Sequence, residues 1–572
     1  MSTDSLFSRF SSSDLKDMLR IPELFHPFIY SIKDELDLES KSEELKKYGL
    51  YECLSLLIDY PPPLVAERLS IDDTTTYPPT PYGLSKAEFE RSELRPLKVL
   101  TPDENLKRML DAPLDEWRTY MHPLQEKIAT ASVGGAMKIT GGAGTGKTVV
   151  AMYRTKWLVE KLFTGANDKV LFTTYTKNLA HDIGLFLKRI IKDPAALARV
   201  KVRHIDALAQ ELYAPFQNAR EHTIYGTTGD EALRRESWGE AVSIGARELP
   251  IEPSFYRDEY EQVILPKCIF SLQHYLTVSR DGRIRALTAE ERTKVFAVCD
   301  QYSRILKRKN CVESREIRLR LVRNYVQQYK KPYKAVIIDE AQDLYEEDFR
   351  LLRAICESGN NDMVFFGDGN QRIYNRLPFK MTDAGIDVKN RSRKLFLNYR
   401  TTAQISTFAK EILSITQSFD DDFDSGKDAT RGTMSLVSGE EPVLRSCEND
   451  RVEAKVIQEE LQRLFKAGIP ASKICLISRA HRYVETIVQR LKPLLPKGIE
   501  VLEVTNDISS PKENQLRFAT MHRVKGLEFE AIVICGAHEL GDADRNLFYV
   551  ASTRAKKYLL ITYSENFLPL LR

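Results

Sequence analysis

The sequence predicts an α/β protein with two parallel-sheet cores, a helical insertion in the first core and a mostly helical segment ahead of it. Three observations carry this. Short apolar runs of strand length alternate with longer helical patterns from Met121 onward, a glycine-rich loop joins one such run to a helix, and a second series of runs begins near Lys394. Buried strands separated by helices are the pattern of parallel sheets, whose strands are covered on both faces and so read as continuous apolar runs.

In chain order, residues 1–118 carry amphipathic helical patterns, as over 43–57, broken by proline turns at Pro61 to Pro63 and Pro78 to Pro81. They are expected to form an accessory region and to offer a surface to a protein partner. The first core is expected over residues 119–213 and 331–393, where the runs MKIT, KVLFTTY, AVIID and MVFFGD lie. Residues 214–330 between them are rich in charge and aromatics and read as a helical insertion. The second core is expected over residues 394–572, with KICLIS and AIVICG as strands and an acidic loop at 419–431.

Composition narrows the class. The 572 residues are 42% hydrophobic and 29% charged, which suits a folded globular chain and excludes fibrous or disordered ones. No stretch reaches the roughly 18 apolar residues of a membrane span, and the start lacks a basic segment followed by an apolar run, so a cytoplasmic location is expected. The eight cysteines contain no CxxC pair, which argues against structural zinc or iron–sulfur. A net charge of +3 says little about a polyanion partner. The basic residues within 304–334, among them Lys307, Arg308, Lys309, Arg315, Arg318, Arg320 and Arg323, read either as phosphate contacts or as a solvated helix face.

The loop Gly141-Gly142-Ala143-Gly144-Thr145-Gly146-Lys147-Thr148 fits GxxxxGK[ST] and lies between the strand MKIT and the helix that opens VVAMYRTKWL. Glycines let backbone amides face phosphates, Lys147 reaches the β- and γ-phosphates, and the Thr148 hydroxyl binds magnesium. Downstream, Asp339 and Glu340 end the apolar run AVII. Carboxylates there need a cation or a water to serve. Asp339 is the magnesium holder and Glu340 the general base for the attacking water. ATP and Mg2+ are the expected substrate and cofactor.

With DEAQD in place, the motifs resemble, in order, those of the UvrD/Rep branch of superfamily 1 helicases, over about residues 121–563. The resemblance implies two RecA-like P-loop NTPase cores and assigns roles to this chain's residues. His122-Pro123-Leu124-Gln125 is similar to the adenine-reading segment, with Gln125 as its reader. Thr174-Tyr175-Thr176-Lys177-Asn178 resembles a strand-binding motif whose aromatic ring stacks on a base, and the segment around His204 looks like the next. Gly367-Asp368-Gly369-Asn370-Gln371-Arg372-Ile373-Tyr374 is similar to the coupling motif, in which Gln371 senses the γ-phosphate. Asn398-Tyr399-Arg400-Thr401-Thr402 resembles the motif with one arginine finger, and Tyr399 falls at the nucleotide. Thr520 to Phe529 looks like the motif in which Thr520 and His522 face nucleic acid and Gly526 and Glu528 the nucleotide. Phe548 to Lys557 resembles the last motif, with Arg554 as the second finger. Planar, always-charged guanidinium groups suit the charge that spreads over γ-phosphoryl oxygens, and supplying them from the opposite core ties hydrolysis to closure. Tyr175 and Tyr374 are either stacking platforms for a strand or core residues.

Departures from the family pattern sharpen the expectations. Val149 stands where a basic residue is usual, so Arg154 is expected to help at the adenine, and Arg376 replaces a tryptophan near Tyr374. The chain between Arg400 and Thr520 is too short for the large accessory domain of full-length members. The resemblance implies a monomeric ATP-driven translocase or helicase, 3′ to 5′ on single-stranded DNA rather than RNA, serving repair, recombination, plasmid maintenance or defence. The alternative is an ATP-driven, nucleic-acid-sensing switch that regulates a partner without processive unwinding.

Overall fold

The structure, a computed structural model, describes residue 121 and residues 123–564 apart from 218–220, 226–227, 246–250, 281–282, 284, 374–378, 414–433, 436 and 505–511, with scattered positions between 6 and 99. Most of the accessory region, the acidic loop at 419–431 and both Tyr374 and Arg376 fall outside the described residues.

The first core is a six-stranded parallel sheet, ordered β3-β2-β6-β7-β1-β8. Its strands are β1 (Met137–Gly141), β2 (Val170–Thr174), β3 (Val200–His204), β6 (Ala335–Ile338), β7 (Met363–Gly367) and β8 (Ser392–Leu395). Its central strands are buried at every position, so alternate residues feed two different cores. Ala335, Ile337, Val364 and Phe366 pack on one face with α2 (Lys147–Trp157) and α3 (Lys177–Ile190). Val336, Ile338 and Phe365 face the other way.

That second face is covered by the insertion, whose Tyr256, Tyr275, Tyr302 and Trp238 share one continuous apolar cluster with the sheet and with α4 (Ile205–Tyr213). Trp238 of α5 (Thr228–Gly245) stacks on Tyr302 of α6 (Ala289–Arg308) with centroids 3.9 Å apart. The insertion is helical as expected, with one addition: β4 (His222–Ile224) pairs in parallel with β5 (Cys311–Glu313). Two of the basic residues of 304–334, Arg315 and Arg318, tie the insertion to the first core. Arg315 pairs with Glu347 at 2.5 Å, Arg318 joins Asp348 at 3.0 Å and also Asp206, and Arg320 reaches Glu221 and Glu316. Three of these arginines belong to α7 (Ser314–Val326), and Glu347 and Asp348 to the start of α8 (Glu346–Ile355).

The second core is a second six-stranded parallel sheet, ordered β9-β14-β13-β10-β12-β11. Its strands are β9 (Val443–Ser446), β10 (Ile474–Ser478), β11 (Glu500–Glu503), β12 (Gln515–Thr520), β13 (Phe529–Ile534) and β14 (Ala555–Tyr563). The helices α9 (Ala403–Leu413), α10 (Asp450–Lys466), α11 (His481–Leu491) and α12 (Arg545–Ser552) cover it, and its two faces again split the apolar residues by alternation. One expected boundary moves. Strand β8 pairs with β1, so the first core runs through Leu395 and not only to 393.

Candidate nucleotide site between the two cores

The phosphate loop leaves β1 at its carboxyl end and opens α2, so its amides and the helix start face one point. Gly144 and Gly146 take left-handed conformations, φ 78° and 77°, which side chains disfavour. Each also stands under a neighbour: a Cβ on Gly144 would lie 2.0 Å from Asn398 Oδ1, and one on Gly146 would lie 2.6 Å from Gln125 Nε2. A Cβ on Gly141 would meet Thr145 Oγ1 at 2.5 Å. Gln125, on α1 (Pro123–Ala129), donates to the Thr145 carbonyl at 3.0 Å, which places it against the loop.

Lys147 is buried and donates to the Gly141 and Gly142 carbonyls at 2.7 and 2.9 Å. Burial lowers its pKa, opposed by Asp368, Glu340 and Asp339. Thr148 donates to Asp339 Oδ2 at 2.7 Å. Burial and the adjacent Glu340 raise Asp339. A hard divalent cation is the natural remedy for that crowding, and a hydroxyl beside a carboxylate offers the oxygen donors magnesium takes. Glu340 has φ 52° and ψ 42°, left-handed for a residue that is not glycine. Burial acts to raise its pKa, yet Lys525, Lys147, the Gln342 hydrogen bond and Arg554 hold it below the usual carboxylate range. It is thereby kept as the anion, the form a base requires.

Across the cleft the second core supplies the opposite charge. Arg554, 2% exposed, donates from Nη2 to Gln371 Oε1 at 2.9 Å, and Gln371 in turn donates to Asp368 at 2.7 Å. Arg400 pairs with Glu528 at 2.7 Å, and Glu528 also faces Lys556 at 3.4 Å. Burial and then Arg400 depress Arg554, with Glu340 and Glu528 opposing, so both guanidinium groups and the Glu340 carboxylate share one electrostatic site. Glu528 therefore holds the Arg400 guanidinium, a more specific placement than the nucleotide contact expected from the sequence.

Several further contacts close the cleft, and apart from Tyr399 the second-core residues that make them were not singled out from the sequence. The Ala143 amide donates to Tyr549 Oη at 3.3 Å, the Tyr399 amide donates to the Gly144 carbonyl at 3.0 Å, and Asn546 donates to the Arg372 carbonyl at 3.0 Å. Ala143 packs with Ala409, Leu413, Tyr549 and Val550, so a small apolar cluster joins the loop to the second core. Lys525 pairs with Asp343 at 2.7 Å and donates to the Gln371 carbonyl. Asp343, Lys525 and Tyr549 stand inside the quoted motifs, but nothing in their spacing tells that they meet groups of the other core.

Arg154 requires correction. Its side chain is fully buried and donates to the Ala129 and Ala131 carbonyls and, at 2.8 Å, to Asn361 Oδ1, with its guanidinium 4.5 Å over the Trp157 ring. These hydrogen bonds brace α2 against the end of α1, the loop after it and Asn361 just ahead of β7, so it is a packing residue and not an adenine contact.

Of the expected strand-binding residues, Thr174 and Tyr175 line one recess. Tyr175 is half-buried against the first core and, with Thr174, Thr176, Leu179, Glu340, Asp343, Lys525 and Gly526, lines a recess between the cores. Thr174 is fully buried at the end of β2. His204 accepts from the Ala207 amide and caps α4, and burial lowers its pKa. Thr520 ends β12, followed by the exposed His522. Gly526 has φ 82°.

Known proteins resemble this chain in sequence. The model of the UvrD/REP helicase N-terminal domain matches residues 121–383, and that of the UvrD-like helicase C-terminal domain matches 394–504 and 498–566. The chain is similar to the ATP-dependent DNA helicases UvrD1 and UvrD2 of Mycobacterium tuberculosis. It is 22% identical to UvrD1 over 392 residues, 62% of this chain and 46% of the relative. It is 22% identical to UvrD2 over 395 residues, 64% of this chain and 53% of the relative. It is also 28% identical to the mitochondrial ATP-dependent DNA helicase HMI1 of Saccharomyces cerevisiae over 179 residues, 30% of this chain and 25% of the relative. The chain thus spans a quarter to about half of the length of these relatives. With family models matching most of both cores, and a glycine-rich loop and two arginines facing each other across the cleft, the chain belongs to the UvrD/Rep family of superfamily 1 helicases.

Proposed function

We propose that the chain is an ATP-driven motor that moves 3′ to 5′ along single-stranded nucleic acid, DNA in preference to RNA. The observation that carries this reading is the hydrogen bond from Arg554 to Gln371, which joins the two cores over the Lys147 loop. Lys147 and the loop amides take the β- and γ-phosphoryl oxygens, and Gln125 and Tyr399 stand at the loop's edge for the base. Magnesium, when bound at Thr148 and Asp339, neutralises charge on those oxygens. Glu340 accepts the proton of the attacking water as the bond from the γ-phosphorus to its bridging oxygen breaks. Arg400 and Arg554 stabilise the charge that spreads over the transferred group. Since they come from the second core, hydrolysis proceeds only with the cleft closed and releases it afterwards. A hinge cycle of this kind advances two strand-gripping cores along a strand. Tyr175, Thr520 and His522 supply grip on the strand.

The test is the ATPase rate with single-stranded DNA, RNA and duplexes carrying 3′ or 5′ tails, together with displacement of a streptavidin block from each strand end. Stimulation by single-stranded DNA and release of a block at the 5′ end are expected. Absence of stimulation by any oligonucleotide overturns the motor, and stimulation without displacement from either end replaces it with a switch that regulates a partner.

A further inference from the structure

The recess beside Tyr175 leads directly to the catalytic carboxylate. Its walls are Thr174, Tyr175, Thr176 and Leu179 from the strand-binding loop, Glu340 and Asp343 from the loop after β6, and Lys525 and Gly526 from the second core. Lys525 is its central cation. The side chain is 5% exposed and Asp343 is 1% exposed, so their 2.7 Å ion pair is shielded from water. The same ammonium donates to the carbonyl of Gln371, whose side chain receives Arg554. One atom of the second core therefore fixes two separate loops of the first, one carrying Glu340 and the other carrying the Gln371 that meets the finger. Gly526 follows in a left-handed turn, φ 82°, that ends the approach of Lys525.

We infer that Lys525 is a positioning residue that ties cleft closure to hydrolysis, by holding Asp343 and the Gln371 carbonyl in register only while the two cores are in contact. The inference deepens the proposed motor function and rests on it. Opening the cleft withdraws the ammonium, and the Asp343 carboxylate and the Gln371 carbonyl both lose their partner from the second core. The loops they belong to are then released together. A lysine serves because one tetrahedral ammonium can donate in two directions at once. Its place in the wall shared with Tyr175 puts the latch where a bound strand would be felt.

The test uses the full chain with Lys525→Met, Lys525→Arg and Asp343→Asn, followed by ATPase kinetics with saturating single-stranded DNA and by amide hydrogen exchange. Lys525→Met is expected to lower kcat on the order of 10²-fold, the effect of misplacing catalytic groups by about an ångström, with KM for ATP changed less than about threefold. Exchange at residues 368–372 should rise in the same variant, since those amides lie in a loop released from the second core. Lys525→Arg should restore part of kcat, and the Lys525→Met, Asp343→Asn double variant should be no slower than either single one. An active wild-type chain whose Lys525→Met variant keeps its kcat, or loses it with no change in exchange at 368–372, overturns the inference and leaves the motor standing. A wild-type chain without hydrolysis overturns the motor and this inference with it.

Discussion

Glu340 carries a conformation that few residues tolerate. A left-handed backbone away from glycine costs about 1–3 kcal/mol, and it is held by the turn that lets its amide donate to Asp339 at 3.0 Å while its carboxylate accepts from Gln342 at 2.5 Å. Binding groups lie elsewhere, on the phosphate loop. Glu340→Gln should therefore retain ATP binding while turnover falls by about 10²–10⁴-fold, the usual contribution of a general base, as read by fluorescent-nucleotide titration beside single-turnover hydrolysis. Lys147→Ala should abolish hydrolysis with the melting midpoint unchanged. For Arg554→Ala a loss on the order of 10³ in kcat is expected, the scale of an arginine finger. Arg554→Lys should restore little, because a point charge cannot make the forked contacts of a guanidinium. Recovery of more than half the wild-type rate by lysine would show that Arg554 acts through charge alone.

At the scale of elements, the insertion depends on a buried carboxylate. Glu259 is fully buried and accepts from Tyr275 at 2.6 Å, from Arg280 at 2.8 Å and from Arg283 at 3.0 Å. Burial acts to raise its pKa, but the bonds from Arg280 and Tyr275 and the charges of Arg280 and Arg283 hold it below 4.5. A carboxylate depressed in the folded state contributes its full stability above its unfolded pKa and loses it as the pH falls through the folded value. The insertion should therefore loosen below pH 4.5, and Glu259→Ala, which strands two buried guanidinium groups, should cost about 3–5 kcal/mol. Urea unfolding followed by tryptophan fluorescence would read both, since Trp238 lies in the same core. The elements also differ in how plainly the sequence shows them. The central strands AVII, MVFFG and ICLIS are covered on both faces and stand out as apolar runs. The edge strands VKVRH, SRKL and EVLE carry charged residues because one side meets solvent, and they were not anticipated. The basic helix α7 misleads for the opposite reason: its arginines look free in sequence, but Arg318 is buried against acids from other elements.

For the molecule as a whole, function depends on how closely the cores approach. Gly144 is one point of close approach, with Asn398 Oδ1 and the Cβ of Arg400 at 2.0 and 2.8 Å from where its own Cβ would be. Gly144→Ala adds that atom in a left-handed conformation and pushes the finger-bearing segment away. ATP binding should survive in part, while kcat falls on the order of 10²-fold, as for a misplaced catalytic group. An unchanged kcat would mean that the cores need not approach this closely. Among the described residues no helix is long and apolar enough to cross a membrane. The sequence by itself determined the phosphate loop, the paired carboxylates, the order of the motifs and the two-core fold, because each is written in local spacing and in hydrophobic period. Only the tertiary structure decided that Arg154 is a buried brace, that Glu528 holds Arg400, and that Tyr549 and Lys525 reach across the cleft. Those facts depend on which side chains meet across hundreds of residues, and the backbone periodicity of a single chain carries no record of such meetings.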